Sequence, residues 1–383
     1  MSLLPKSAST LIIGGGIQGL SLAFNLAEMG QKGIVVLDAG YWQGGASGRN
    51  GTLIRAGFSS TAWSELFKLT LDEWQTWSKR LGENVMFTRR GYTVVAEKAS
   101  TVAMLEEGAK LHARLGIRSQ ILDKAKTAKL LPALNQQYVL AAQHQPDGGV
   151  APHHAAMKAL HHYCHTHGVG IHYRTKVTGI ETTNGRASAV MIGDHRIEAD
   201  NIVCCAGGHN PEMAGLAGVT LNGHGMKIEA MALEPTRPLI KPAIALIDSL
   251  AYFHQTSRGE VVGGTEVPET PHISLRSDVP VMADMAKIYL RMFPQLGPVR
   301  ILRHWGGLIH ASKDFAPLLG PHPDLKDFWF SAGWSYGFAG APAAGRLLAQ
   351  AIGRGQTDAR MKPFALDRFE TTGPIVEGGI VVA

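Results

Sequence analysis

Apolar positions fall in two textures along the chain. Near the N-terminus, Leu11-Ile12-Ile13 is an unbroken apolar run, positions 20–29 are apolar over a helical length and stop at Gly30, and Gly33-Ile34-Val35-Val36-Leu37 is a second run closed by Asp38. Short continuous runs predict strands covered on both faces, as in a parallel sheet, and the longer stretch between them predicts the crossover helix. Ser60 or Thr61 opens a further helix whose apolar stripe holds Trp63, Phe67, Leu71, Trp74 and Trp77. Tryptophans at helical spacing predict core packing rather than cofactor contacts. A helix over 101–115 stops at Gly116, and a strand over 85–97 surrounds Gly91. The pattern then shortens to strands over 171–173, 177–180, 187–192, 196–199 and 202–205, followed by β-rich stretches over 226–233 and 251–264. Helices return over 282–292 and about 341–352, and no internal repeat is visible.

A chain of 383 residues, at roughly 150 residues per domain, implies two or three domains and needs no disulfide or metal to hold its core. With 45% hydrophobic and 18% charged residues, disorder, collagen and coiled coil are excluded. No apolar run is long enough to span a membrane and no export signal opens the chain. The three cysteines, Cys164, Cys204 and Cys205, form no disulfide framework, and the adjacent pair on a strand points to opposite faces. A reduced, cytoplasmic protein is expected. The charge of +6 comes from 37 basic against 31 acidic residues with no basic run longer than a pair. Nucleic-acid binding is therefore not expected, although the excess suits anionic ligands. The composition is unusual in glycine, 45 residues in loop clusters such as Gly14-Gly15-Gly16, Gly44-Gly45, Gly207-Gly208 and Gly306-Gly307, with Gly333, Gly337 and Gly340 near the C-terminus. Clusters this widely spread imply one large ligand approached by many backbone loops.

The most specific motif is Gly14-Gly15-Gly16-Ile17-Gln18-Gly19, set between a strand and a helix, with Asp38 at the end of the next strand, 24 residues after Gly14. This is the dinucleotide-binding βαβ pattern in its full context. Gly14 permits the tight turn, Gly16 the approach of a pyrophosphate, and Gly19 close packing of helix on strand. The helix N-terminus offers free N–H groups to phosphate, and Asp38 would accept ribose hydroxyls, which disfavours NADP. His161, His162, His165, His167 and Cys164 cluster on and after one helix, but no third metal-ligand pattern accompanies them and a solvated face is expected. A Ser-His-Asp hydrolase lacks its G-x-S-x-G elbow here.

Taken with the βαβ unit, the stretches Ile202-Val203-Cys204-Cys205-Ala206-Gly207-Gly208 and Gly333-Trp334-Ser335-Tyr336-Gly337-Phe338 resemble the D-amino-acid-oxidase and sarcosine-oxidase family of flavoproteins. Within it, Arg49-Asn50-Gly51-Thr52-Leu53-Ile54-Arg55, Gly148-Gly149-Val150-Ala151, Arg303-His304-Trp305-Gly306-Gly307, Asp314 and Pro317 are most similar to β subunits of heterotetrameric sarcosine oxidases and related amine and opine dehydrogenases. The resemblance covers nearly the whole chain. It implies an α/β fold: a Rossmann-like FAD-binding domain made discontinuously from 1–83, 148–216 and 300–383, and a β-sheet-rich substrate or partner domain from 84–147 and 217–299. FAD would contact Gly14, Gly16, Gln18, Gly19 and Asp38, the loop residues Ser47, Arg49, Asn50 and Gly51, then Val177, Ala206 and Gly207. Gly333, Tyr336, Gly337 and Phe338 would pass the flavin, with the following helix aiming its N-terminus at the ring edge that gains charge on reduction.

Departures from the family pattern refine this. Gly306-Gly307-Leu308-Ile309-His310 has no cysteine where monomeric relatives tether the flavin, so FAD is expected to be non-covalent. Gly259-Glu260-Val261-Val262-Gly263 has no lysine for oxygen activation, and Ala339 stands where a carboxylate-binding lysine is usual. His153 matches the histidine that carries FMN at the boundary with a larger subunit, so the resemblance implies FMN as a second flavin at a subunit interface, a larger α subunit and small subunits. Arg55 is the expected carboxylate clamp, with a structural role near phosphate as its alternative. Tyr252 and His254 alternate on one strand face and are expected to line the substrate pocket. The reaction implied is oxidation of a secondary amine or amino acid of the sarcosine, proline, hydroxyproline or opine class, with electrons passed to FMN or a partner subunit. A self-sufficient amine or D-amino-acid oxidase and an FAD-holding docking subunit without its own catalysis remain open alternatives.

Overall fold

The computed structural model describes residues 4–265, 269, 271 and 273–378. Strand β1 (Ser7–Ile13), helix α1 (Ile17–Glu28) and strand β2 (Ile34–Leu37) form the expected βαβ unit, and both strands run parallel with Thr10 opposite Ile34 and Ile13 opposite Leu37. The first eight-stranded sheet has the order Leu318–Pro321, Phe328–Ala332, His195–Cys204, β1, β2, Gly170–His172, with the antiparallel pair Gly179–Thr183 and Arg186–Ile192 attached to His195–Cys204. Both faces are covered. Leu11, Ile13 and Cys204 enter one apolar core, while Ile12, Val203 and Cys205 enter another shared with α1 and the helices Thr61–Leu81, His153–Thr166 and Gly337–Arg354. Cys204 and Cys205 therefore point to opposite faces, and all three cysteines are free and buried. Trp63, Trp74 and Trp77 are fully buried, as their spacing predicts.

The second eight-stranded sheet runs Ile301–Ala311, His224–Leu233, Val261–Thr265, Ala251–Gln255, Ala243–Leu246, Tyr92–Ala96, Ala141–Gln145, Gln120–Asp123. Its apolar face packs on Val279–Met292 through Met285, Tyr289 and Met292. The expected boundary at residue 300 groups Ile301–Ala311 with the first sheet, but this strand pairs antiparallel with His224–Leu233, from His224 opposite Ala311 to Ala232 opposite Arg303.

Four local expectations change, the first being the strand over 85–97, which runs only from Tyr92 to Ala96 because Gly91 turns with φ of +89°. The two strands over 196–199 and 202–205 are one strand, His195–Cys204, because Asn201 stays extended and pairs with Thr10 of β1. Val177 lies before the strand Gly179–Thr183, held in a loop where the Thr175 N–H donates to the Asp38 carbonyl at 2.8 Å. The last long helix begins at Gly337, four residues early, because Gly340 N–H already bonds to the Tyr336 carbonyl at 2.9 Å. Among the described residues, no helix is long and apolar enough to cross a membrane.

Candidate functional site

A cavity of about 510 Å³ opens at the carboxyl ends of β1 and β2 and continues to the wall of the second sheet, the position where open α/β sheets bind ligands. Its floor is the glycine turn. Gly14 has φ of +116°, and a side chain there would also run into the Cys205 carbonyl. A Cβ on Gly16 would lie 2.9 Å from Ser47 Oγ, and one on Gly19 would strike the Gly14 carbonyl and sit 3.0 Å from Ile12. Ser47 accepts the Ile17 N–H at 2.9 Å, so the second loop closes the first turn of α1 from outside its own segment. Asp38 accepts the N–H of Gly15 and of Gly40, each at 2.7 Å, which fixes its carboxylate at the cavity edge.

The remaining walls come from distant parts of the chain. Arg49 donates to the Gly44 carbonyl at 3.1 Å and the Gly306 carbonyl at 3.3 Å, and its own carbonyl accepts the Trp305 indole N–H at 2.8 Å. Asn50 spans Ser47 and Thr52, donating to the Ser47 carbonyl at 2.5 Å and accepting the Thr52 N–H at 2.8 Å. Gln18 ties α1 to the C-terminal loop, donating to Gly337 at 2.5 Å and accepting from Ser331 at 2.8 Å. Ala206 N–H donates to Asn210 at 2.8 Å, and Gly207 turns with φ of +57°. Val177, Gly51, Gly333, Tyr336, Gly337 and Phe338 also line the cavity. Every residue expected at FAD except Gly19 faces this cavity; Gly19 acts behind it, through the helix–strand contact. A flat glycine turn under a helix N-terminus, a carboxylate at the next strand end and a long groove running to the second sheet fit an adenine dinucleotide with its redox ring at the far end.

At that far end Tyr92, Tyr252 and Tyr336 line the cavity with Gly51, where a side chain would collide with the Tyr252 ring. Burial raises the pKa of Tyr92 and of Tyr252, so both phenols stay protonated donors. Arg55 lies behind this group and does not line the main cavity. Its guanidinium carbon sits 3.9 Å from the Phe58 ring centre, 5.2 Å from Tyr92 and 5.4 Å from Tyr336. Burial disfavours its charge, but Tyr92, Tyr336 and Glu377, with a hydrogen bond to Tyr336, hold its pKa above the ordinary value. His254 is buried yet does not line the cavity; its Nε2 lies 3.4 Å from Thr52 Oγ1. Tyr252 and His254 thus share a strand face but not a chamber, because the loop carrying Thr52 stands between His254 and the open volume.

His153 begins the helix His153–Thr166, outside the cavity and near Arg303. Burial, His154 and Arg303 push its pKa down to about 4. The histidines 161 and 165 stack at 6.4 Å, and among the described residues no group of three or more potential ligands could hold a metal. Two cavity residues escaped the sequence reading. Tyr92 was hidden in an ordinary strand pattern, and its role depends on pairing with Ala243–Leu246 beside Tyr252. His310 Nδ1 accepts the Gly333 N–H at 3.0 Å, and burial pushes its pKa down to about 4, so it holds the C-terminal loop as a neutral ring.

Fold and cavity together define a flavin-type dinucleotide oxidoreductase. The chain belongs to the family described as FAD dependent oxidoreductase, which matches residues 9–351. Sarcosine oxidase subunit beta of Rhizobium meliloti is 29% identical over 378 residues, 96% of this chain and 90% of that protein. The same subunit of Rhodobacter capsulatus is 26% identical over 371 residues, 95% and 89% of the two chains. The fold is that of L-proline dehydrogenase from P. horikoshii, with a TM-score of 0.92 at 24% identity over 97% of this chain and 100% of that one.

Proposed function

We propose that the protein oxidises a secondary amino acid, of the sarcosine, proline, hydroxyproline or opine class, at the end of the cavity bounded by Tyr92, Tyr252 and Tyr336. The observation that carries this reading is the placement of Arg55 directly behind Tyr336 and Tyr92, which sets a positive charge behind the phenol donors at one end of the cavity. In this reading the residues 1–83, 148–216 and most of 312–383 form the FAD-binding unit, and the second sheet, with Ile301–Ala311, forms the substrate and partner unit.

Bound FAD supplies the two-electron acceptor for a hydride leaving the substrate α-carbon. The chain's own work is binding and charge placement. Tyr336, backed by the Arg55 charge behind it, orients the substrate carboxylate, and Tyr252 donates a hydrogen bond from its protonated phenol. His254, whose pKa burial holds at about 4, stays neutral and steadies Thr52 without placing a second cation beside the amine. The substrate amine reacts as the neutral base, so no strong general base is needed, and water hydrolyses the product imine. FAD is held without a covalent link: Cys205 is the cysteine beside the cavity, and burial pushes its pKa up to about 12, leaving no thiolate. Electrons then pass to a partner, with FMN near His153 as the acceptor and a larger α subunit and small subunits completing the assembly, in the cytoplasm. The strand Val261–Thr265 carries no lysine toward the flavin, which favours a partner acceptor over direct use of oxygen.

Anaerobic titration of the purified protein with sarcosine, proline, hydroxyproline and opines, read at the oxidised-flavin band, tests this. Bleaching by one of them followed by slow recovery in air is expected. Rapid recovery would make the protein a self-sufficient oxidase, and no bleaching by any secondary amino acid would remove the substrate class.

A further inference from the structure

Tyr92 and Tyr252 are brought together by the strand that lies between theirs. In Ala243–Leu246, Ala243 is paired with Tyr92 on the parallel neighbour and Ala245 with Tyr252 on the antiparallel one. Residues two apart on a strand share a face, and directly paired residues share it too. The two tyrosines therefore stand on one side of the second sheet, with only the methyl groups of two alanines between them. Both belong to one buried cluster with Val150, and both line the main cavity. Tyr336, the residue before the helix Gly337–Arg354, closes the same end of the cavity from the opposite wall.

Tyr92 is only 1% exposed, yet among the described residues its phenol oxygen has no hydrogen-bond partner. A buried hydroxyl left unpaired is destabilising, and phenylalanine would fill the same space without that penalty. A phenol in a cavity wall is satisfied by what the cavity binds. The sign of that ligand follows from Arg55, whose guanidinium carbon lies 5.2 Å from the Tyr92 ring centre and 5.4 Å from that of Tyr336. Arg55 stays outside the cavity, so its charge is felt there through these two rings and through its hydrogen bond to Tyr336. In a poorly solvated site that field favours an anion in front of the phenols. The other cations of the cavity are engaged elsewhere. Lys176 and His209 lie against Glu212, 3.8 and 3.2 Å away, beside Val177. Arg49 gives its guanidinium to the carbonyls of Gly44 and Gly306.

We propose that Tyr92 is a specificity-determining residue: its phenol donates to the carboxylate of the bound substrate, beside Tyr336 and in the field of Arg55, and so selects an amino acid over a simple amine. This rests on the reading of the tyrosine end of the cavity as the substrate site. The carboxylate is held there by neutral donors with the cation one layer behind them, an arrangement that takes the place of the lysine absent at Ala339. A hydrogen bond to an ionised acceptor is about twice as strong as one between neutral groups. A ligand without the charge therefore gains little from Tyr92, and the residue discriminates rather than merely packs.

The test uses the FAD-loaded protein and its Tyr92→Phe variant, with pyrrole-2-carboxylate and pyrrole-2-carboxamide as flat, non-oxidisable probes that differ in the charge of one group. Dissociation constants are read from the shift of the flavin absorption band. The wild type is expected to prefer the carboxylate. Tyr92→Phe is expected to weaken the carboxylate by about 10- to 100-fold and the carboxamide by less than about threefold. FAD content and melting temperature identify a variant that has not folded, in which case Tyr92→Met, which also lacks the hydroxyl, decides. An unchanged carboxylate affinity, an equal loss for both probes, or no preference for the carboxylate in the wild type overturns the proposal. Bleaching by secondary amino acids is read separately on the wild type. The expected probe ratios without bleaching would overturn the oxidation reading while supporting the role of Tyr92, and bleaching with unchanged ratios would do the reverse.

Discussion

Gly14 meets two demands that no other residue satisfies together: a φ of +116° and a Cys205 carbonyl that occupies the place a Cβ would take. An alanine there would force the β1 turn away from the strand His195–Cys204 and lift the helix N-terminus off the phosphate position. Gly14→Ala is therefore expected to purify with little or no FAD and to bind added FAD at least about 100-fold more weakly, a loss of about 3 kcal/mol. Flavin fluorescence quenching on titration measures this, and wild-type affinity would refute the assigned role of the turn. This turn was legible in the sequence because its parts lie close together along the chain. Gly19 meets Ile12 and the Gly14 carbonyl, and Asp38 takes the Gly15 N–H, within one βαβ unit, so spacing carries that much of the geometry, whereas Gly14 meets Cys205 and Gly16 meets Ser47 from outside it. Arg55 is the opposite case. Its residue type predicts a carboxylate clamp, but its place behind Tyr336 and Tyr92, and its link to Glu377, depend on three segments far apart in sequence. The Tyr92 contribution was silent for the same reason, since a tyrosine in a strand is ordinary until the sheet order sets it beside Tyr252.

At the scale of elements, helix α1 is held between the sheet and the helix Gly337–Arg354. The two helices meet at Gly345, where a Cβ would run into Ser21 Oγ and lie 2.6 Å from the Ser21 carbonyl carbon and 2.8 Å from Leu22 N. Ser21 Oγ donates to the Ala341 carbonyl at 2.8 Å in the same interface. Because two of the three nearest atoms are backbone, the helices must part to admit a side chain. Gly345→Leu is expected to destabilise the protein by about 2–3 kcal/mol or more and to loosen FAD, since α1 carries the phosphate-binding turn. Urea unfolding followed by circular dichroism checks it, and a midpoint shift below about 0.5 kcal/mol would show that the helices are not locked there. The elements themselves were largely readable from periodicity, as the apolar runs of β1 and β2 and the tryptophan stripe of Thr61–Leu81 show. What periodicity does not carry is partnership. The strand Ile301–Ala311 has the same alternation whichever sheet it joins, and only its long antiparallel register with His224–Leu233 assigns it to the second. Strand ends slipped where polar residues such as Asn201 remain paired inside a sheet.

For the whole molecule, the buried histidines set how stability responds to acid. Burial pushes His254 and His310 down to about 4, with the Arg90 charge adding to the effect at His254 and the His224 ring at His310. An unfolded histidine titrates near 6.5. Between about pH 6.5 and pH 4 the unfolded chain therefore binds protons that these two rings refuse in the folded state, and acid shifts the balance toward unfolding. Each ring contributes a slope of up to about 1.4 kcal/mol per pH unit across that window, and none above it. Asp314 acts in the same direction at lower pH: burial opposes its charge, but the Arg368 pair and the N–H groups of Ile375 and Ala316 hold its pKa below the usual value. The stability of that ion pair is present above about pH 4 and is lost as the pH falls further. His310 holds Gly333 and Asp314 anchors the C-terminal segment that carries Glu377, so the acid-sensitive groups are also those that keep the cavity walls together. Urea midpoints measured with excess FAD should stay level from pH 8 to about 7 and then fall steadily to about pH 5. FAD release should follow the same curve, because unfolding and loss of the C-terminal wall share these groups. A midpoint that holds level or rises on acidification would mean that His254 and His310 accept protons in the folded protein, which their burial forbids.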